Sequence, residues 1–280
     1  MTIRRVFIDL PDGQLHYRRA GPVTGTASPI FLLHASPGSS RQLVPLIAGL
    51  AERYDVVAPD TPGNGDSTPL PIAAPTIADY AARLPALLDA LGLDRVAVYG
   101  SHTGAAIAVE LAILAPDRVD RLILDGIGIF TPEQRDEQLA RYAPAFTPDL
   151  DGGYLMRAFQ FCRDQYLFYP WYDRTRTGRR DGGVRPAADL HAWLVEVLKA
   201  AETYPLAYHA AFAWDAVVRL PLAEQRMLLL AAEDDPLAEV TRDAERLVAE
   251  GRFVALPRYD APHFGPRRIA LIAQFLADRA

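Results

Sequence analysis

The residues best suited to chemistry fall at three points of the chain. His102 lies in Gly100-Ser101-His102-Thr103-Gly104, Asp235 in Ala232-Glu233-Asp234-Asp235-Pro236, and His263 in Pro262-His263-Phe264. Each comes shortly after an apolar run with the composition of a buried strand. Imidazoles and carboxylates exchange protons near neutral pH, and two imidazoles with one carboxylate also suit iron or zinc. Polar groups recur at two further strand ends, in His34-Ala35-Ser36-Pro37-Gly38 and in Asp60-Thr61-Pro62-Gly63-Asn64-Gly65-Asp66-Ser67. The single cysteine, Cys162, excludes an internal disulfide and a cysteine-based zinc knuckle.

The elements that must position these groups are readable from periodicity. Val6, Ile8 and Leu10 alternate with polar neighbours, Asp12-Gly13 is a turn dipeptide, and Leu15 and Tyr17 resume the alternation, which predicts a hairpin. The solid apolar runs Ile30–Leu33, Asp55–Ala58, Val96–Tyr99, Leu122–Asp125, Met227–Ala231 and Phe253–Leu256 suit strands buried on both faces. Helical spacing covers residues 77–91, stopping at Gly92, then an Ala-rich stretch over 104–115, then 237–250, and a last helix from near Pro266. Strands alternating with helices at such intervals predict an α/β fold with a mostly parallel sheet and helices on both faces. Between about Thr131 and Asp215 the strand pattern stops and aromatics and arginines become dense. The chain therefore reads as an α/β core, residues 1–130 and 216–280, split by a helical insertion over 131–215.

Composition bounds the partners. With 280 residues, half of them hydrophobic and 23% charged, the chain has the balance of a soluble globular protein. It can bury roughly three quarters of its unfolded surface. A net charge of −6 argues against nucleic acid as a partner. No stretch approaches the ~18 uninterrupted apolar residues of a membrane span, and MTIRRVFIDLPDG lacks a signal-peptide core. The expected setting is cytoplasmic and the expected partner a small-molecule substrate. If the chain self-associates, a homodimer is the expected form.

In order and spacing the motifs resemble the α/β-hydrolase fold, in its cap-bearing branch of epoxide hydrolases, haloalkane dehalogenases and C–C bond hydrolases. His34 to Gly38 is similar to that family's H-G-x-P oxyanion loop, Asp60 to Ser67 to its D-x-P-G-x-G-x-S loop, and Gly100 to Gly104 to its nucleophile elbow G-x-S-x-G. The resemblance implies a sheet flanked by helices with a cap inserted after the sixth strand. It implies Asp235 as the acid of a triad and His263 as its base. It also implies an oxyanion hole from the backbone N–H groups of Ser36 and Thr103. No organic cofactor or metal is expected.

The elbow departs from the pattern, because His102 stands where the family has Ser, Asp or Cys. Ser101 falls one residue early and is not expected to replace the nucleophile. Four roles compete for His102: covalent nucleophile, proton-transfer group acting on water or substrate, metal ligand with His263 and Asp235, or the remnant of a lost nucleophile. An imidazole reaches farther from the backbone than a serine hydroxyl and crowds an ordinary ester, which favours direct acid–base work. Ala35 replaces the usual Gly of the oxyanion loop, and His34 reads as structural.

The segment Phe159 to Arg174 interleaves aromatic and polar residues, and Phe161, Arg163, Tyr166 and Trp171 are its expected pocket residues. Arg163, Arg174 or Arg176 would clamp a carboxylate or enolate. The expectation is a hydrolase that cleaves a small ester, lactone or β-keto compound at a His102–Asp235–His263 site. A lyase, isomerase or cofactor-free oxygenase on the same scaffold is the first alternative, and a non-catalytic binding protein the second.

Overall fold

A computed structural model describes residues 2–22 and 28–278 of the protein. The opening hairpin forms from β1 (Arg4–Leu10) and β2 (Gly13–Ala20), joined antiparallel through the Asp12-Gly13 turn. The buried runs become β3 (Ile30–Leu33), β4 (Val56–Pro59), β5 (Val96–Ser101), β6 (Val119–Asp125), β7 (Arg226–Ala232) and β8 (Gly251–Leu256). All strands lie in one eight-stranded sheet, in the order β1-β2-β4-β3-β5-β6-β7-β8. From β4 to β8 every pairing is parallel.

Alternation along each strand sends neighbours to opposite faces. Phe31 and Leu33 of β3 join one core with Val57, Val98, Leu122 and Leu229, while Ile30 and Leu32 join the other with Val56, Tyr99, Ile123 and Leu228. Both faces are therefore apolar, which is why these strands read as unbroken hydrophobic runs. The second core is covered by α1 (Val44–Leu50) and α11 (Phe264–Ala277). The first is covered by α2 (Ile77–Ala81), α3 (Leu84–Ala90), α4 (Thr103–Leu114) and the later α10 (Ala238–Asp243).

Two predicted helices differ. The stretch 77–91 divides into α2 and α3, because Pro85 enters the first turn of the second helix and has no N–H to continue the first. Gly92, at φ +65°, ends α3 as expected. Residues 237–250 form only α10 and one 3-10 turn before β8 begins at Gly251.

Between β6 and β7 lie α5 (Pro132–Arg141), α6 (Gly153–Leu167), α7 (Ala187–Lys199), α8 (Tyr204–Ala213) and α9 (Ala216–Arg219). This cap has an aromatic core of its own. Phe146 stacks on Tyr204, Phe161 meets Trp171 edge-on, and Tyr208 stacks on Phe212. Its return to the core is clamped at Glu110 of α4. That buried carboxylate accepts two hydrogen bonds from Arg219, at 2.6 and 2.7 Å, and one from Trp214 Nε1 at 2.7 Å. Among the described residues no helix is long and apolar enough to cross a membrane.

Candidate active site

The site begins at the turn from β5 into α4. A Cβ on Gly100 would lie 2.2 Å from the Gly104 carbonyl, and one on Gly104 would lie 2.4 Å from the Leu33 carbonyl. Both positions must be glycine for the helix to start this close to the sheet. The cost of the turn is taken by His102, the only non-glycine residue among those described with positive φ (+49°, ψ −109°). Such a conformation costs on the order of 1–3 kcal/mol and persists only where its surroundings enforce it. They do so here. The His102 N–H donates to the Asp125 carbonyl at 3.1 Å, and the His102 carbonyl accepts from Ala105 N–H at 2.9 Å.

The raised imidazole meets the loop after β7. His102 Nε2 lies 2.9 Å from Asp235 Oδ2, and the carboxylate is buried while the imidazole is about one-third exposed. Asp235 is fixed on its other sides by Leu237 N–H, 2.8 Å from Oδ1, and by the Tyr259 hydroxyl, 2.6 Å from Oδ2. Burial favours the neutral acid. The charge of His102 and the hydrogen bonds from His102, Tyr259 and Leu237 outweigh it and hold Asp235 at about 2. For His102, burial disfavours the cation, but the Asp235 charge and hydrogen bond prevail and raise its pKa above the ordinary 6.5. An ionised Asp235 requires the proton on Nε2, so Nδ1 of the neutral ring carries the lone pair. Nδ1 has no hydrogen-bond partner among the described residues.

Gly126 makes room for this pair. Its φ is +76°, and a Cβ there would lie 2.8 Å from His102 Nε2 and 3.4 Å from Asp235 Oδ2. Any side chain would wedge against the His102–Asp235 contact.

His263 does not reach the site. It is exposed at the N-cap of α11, forms no side-chain cap bond, and is absent from the cavity wall. The place beside Asp235 is filled by Tyr259, four residues earlier in the same loop. The expected trio of His102, Asp235 and His263 therefore does not assemble, either as a triad or as a metal-ligand set. Among the described residues, one group of acid and imidazole side chains converges closely enough for a metal: His16, Asp60 and Asp66. Asp60 there is already a structural hub. It accepts from His16 Nδ1 at 2.8 Å, Ser40 N–H at 2.8 Å and Asp66 N–H at 3.0 Å, and so folds the glycine-rich loop.

The oxyanion-hole candidates Ser36 and Thr103 line one cavity with His102. Thr103 is the first residue of α4, so its N–H has no acceptor within the helix. The Ser36 N–H has no partner among the described residues. His34 is structural, as read. Its Nε2 accepts from Thr61 N–H at 2.9 Å and its Nδ1 donates to the Ala35 carbonyl at 2.9 Å, which fixes a neutral tautomer that burial also favours. Ala35 keeps a negative φ, so the loop does not need the family's glycine there. Ser101 borders the cavity one residue ahead of His102.

The cavity holds about 640 Å³ between the elbow and the cap. Of the four expected cap residues only Tyr166 lines it. Phe161 and Trp171 pack inside the cap, with Trp171 Nε1 donating to the Tyr142 carbonyl at 2.8 Å. Arg163 is bound to buried Asp164 at 2.7 Å, and Arg174 pairs with the same carboxylate at 2.8 Å. From the cap, Tyr142, Gln165, Tyr169, Arg180, Trp193 and Tyr208 also line it. Sequence spacing alone misses these, because helix phase in the cap depends on which side faces the core. The one available signal was the density of tyrosine and tryptophan itself.

A parallel sheet carrying an elbow after β5, an acid loop after β7 and a helical cap after β6 is an α/β-hydrolase architecture. The chain belongs to the alpha/beta hydrolase fold family, which its sequence matches over residues 28–258. It is 37% identical over 129 residues to 2-hydroxy-6-oxononadienedioate/2-hydroxy-6-oxononatrienedioate hydrolase 1 of Dechloromonas aromatica, an alignment covering 44% of this chain and 43% of that one. It is also 37% identical over 117 residues to an uncharacterized protein of Mycobacterium tuberculosis, covering 42% of this chain and 34% of the other. The chain thus spans less than half the length of the curated relatives it matches. Among solved structures it is similar to the enol-lactonase from Burkholderia xenovorans LB400. The TM-score is 0.75 at 21% identity, over 98% of this chain and all of that one.

Proposed function

We propose that the protein is a cofactor-independent hydrolase acting by acid–base chemistry, without a covalent enzyme intermediate, on a small, partly apolar ester, lactone or β-keto compound. One observation carries this reading: the elbow holds an imidazole whose Nε2 is bound to Asp235, at the wall of the cavity between elbow and cap. Nδ1 takes a proton from a water molecule, and the hydroxide adds to the substrate carbonyl carbon. The oxyanion is received by the N–H groups of Ser36 and Thr103. Collapse of the adduct breaks the C–O or C–C bond, and the imidazolium returns its proton to the departing oxygen or carbon. Asp235 stays ionised throughout and stabilises the imidazolium between these steps. The hydrolase names among the relatives support the reaction class, and the missing hydroxyl at position 102 supports a path with no acyl-enzyme.

The test is turnover of aryl esters, lactones and β-diketones by wild type, His102→Ala and His102→Ser. Wild-type turnover that falls by about 10²–10⁴-fold in His102→Ala is the expected result. A wild type inert to the whole panel, with esterase activity gained only in His102→Ser, overturns hydrolysis and points to the lyase or oxygenase alternative.

A further inference from the structure

We propose that Trp193 of the cap is a positioning residue for the oxyanion loop. Its indole N–H, bound to the Pro37 carbonyl, fixes where the neighbouring Ser36 N–H stands. The inference rests on the proposed function for the role of that N–H.

The loop is held by the core at its two ends. His34 Nε2 takes the Thr61 N–H, and the Ser40 N–H donates to Asp60. Between those ends the chain makes few bonds. Pro37 has no N–H to give, the Ser36 N–H and hydroxyl have no partner among the described residues, and the Ala35 carbonyl is taken by the adjacent His34 ring. The Pro37 carbonyl accepts from Gln42 Nε2 at 3.1 Å, within the loop, and from Trp193 Nε1 at 2.7 Å. Among the described residues, the Trp193 bond is the one hydrogen bond that reaches residues 35–38 from outside residues 34–42. A cap side chain therefore holds the middle of a segment that the core holds only at its ends.

Trp193 is itself well held. It lies on α7, whose last residue, Lys199, places Nζ 3.1 Å from Asp66 Oδ2, and just beyond it the Thr203 hydroxyl donates to the Gly63 carbonyl. Both partners belong to the glycine-rich loop whose Asp60 anchors Ser40. The indole also meets Tyr166 edge-on, with ring centroids 5.3 Å apart. Because the same indole lines the cavity, a ligand packed against it shields the Nε1–carbonyl bond from water and strengthens it. Occupancy of the cavity and placement of the Ser36 N–H are coupled in this way. An indole N–H is a neutral donor, so the coupling acts on the position of the oxyanion and not on the basicity of His102.

The experiment compares wild type with Trp193→Phe and Trp193→benzothienylalanine. The second keeps the shape of the ring and replaces only its N–H by sulfur. Amide hydrogen exchange of the whole protein reads the loop, with residues 96–114 as the control for folding. In both variants residues 35–40 are expected to exchange about tenfold faster than in wild type, with 96–114 unchanged. On a carbonyl substrate that wild type turns over, kcat should fall about 10- to 100-fold in both variants, with KM within about threefold and the pH midpoint unmoved. Unchanged exchange over 35–40 overturns the proposal. Faster exchange in 96–114 as well overturns it too, since the residue then serves the fold as a whole. So does a kcat that Trp193→benzothienylalanine restores to within about twofold of wild type, since ring shape and not the N–H is then what matters. Faster loop exchange in a protein inert to every carbonyl substrate would remove the proposed chemistry and leave the hold of Trp193 on the loop standing. Turnover that neither variant changes would do the reverse.

Discussion

The floor and the roof of the cavity are built on different principles. On the floor, His102 and Asp235 are placed by backbone. One sits on a turn that two glycines force, and the other follows a strand end with its second oxygen on Leu237 N–H. On the roof, tyrosines and Trp193 are placed by side-chain packing inside a cap with a separate core. On the proposed reading, the reactive groups stand where the chain has least freedom, and the groups that face the ligand stand in the aromatic packing of the cap. The difference teaches where each kind of substitution should act: floor variants on rate and its pH dependence, roof variants, Trp193 apart, on which ligand binds.

The largest effect expected of a floor variant, beyond His102 itself, belongs to Asp235→Asn. The amide cannot hold the imidazolium, and kcat/KM should fall by about 10²–10⁴-fold, the range for general-base and orienting groups. The pH dependence is a sharper check. His102 must be neutral to act as a base, and Asp235 raises its pKa above 6.5, so wild-type kcat/KM should climb with pH through a midpoint above that value. In Asp235→Asn the midpoint should move down. Stability runs the other way. His102 has a raised pKa in the folded state, so its contribution is fully present below pH 6.5 and is lost as pH rises through that higher value. Asp235 is depressed to about 2, so its contribution is present above its ordinary 3.8 and lost as pH falls toward 2. Denaturation of wild type and Asp235→Asn at several pH values should show their difference largest near pH 4–6.5 and smaller toward either extreme.

The same contrast explains what the sequence made legible. Strands of the sheet bury both faces, so Ile30–Leu33 or Met227–Ala231 could be assigned from apolar runs alone. The elbow was legible because Gly100 and Gly104 are required by close backbone approach, whatever residue lies between them. Asp235 was legible because it follows β7 directly. The loop after β8 was not, because residues 257–263 hold both a tyrosine and a histidine and no periodicity tells which one turns inward. His102 itself decides the matter. With an imidazole from the elbow already on Asp235 Oδ2, the carboxylate has room for a hydroxyl donor, and Tyr259 provides it. Phe161, Arg163 and Trp171 were misplaced for a related reason. Aromatic spacing marks a helix that packs, but not whether its partner is the cap's own core or the cavity.

Tyr259→Phe should have a smaller effect. The hydroxyl shares Oδ2 with His102 and spreads the negative charge of Asp235. Without it the carboxylate becomes more basic and pulls harder on the imidazole, so the midpoint of the kcat/KM profile should rise by a few tenths of a pH unit. Below that midpoint the rate should drop about threefold, and well above it wild type and variant should converge. A uniform loss at all pH values would instead mean that the phenol touches the reacting atoms.

The smallest effect is expected at His263, and it separates two accounts of the site. If the sequence pattern of the family decided the matter, His263 would be the base and His263→Ala would abolish turnover. In the folded chain the imidazole is exposed at the start of α11, caps no N–H, and has no place on the cavity wall. Surface substitutions of this kind usually change stability by no more than about 0.5 kcal/mol. Turnover by His263→Ala should therefore stay within about twofold of wild type, with the same pH midpoint. A loss of a hundredfold or more would show that the loop after β8 turns His263 inward when substrate binds, and would return the base to the position the motif assigns it.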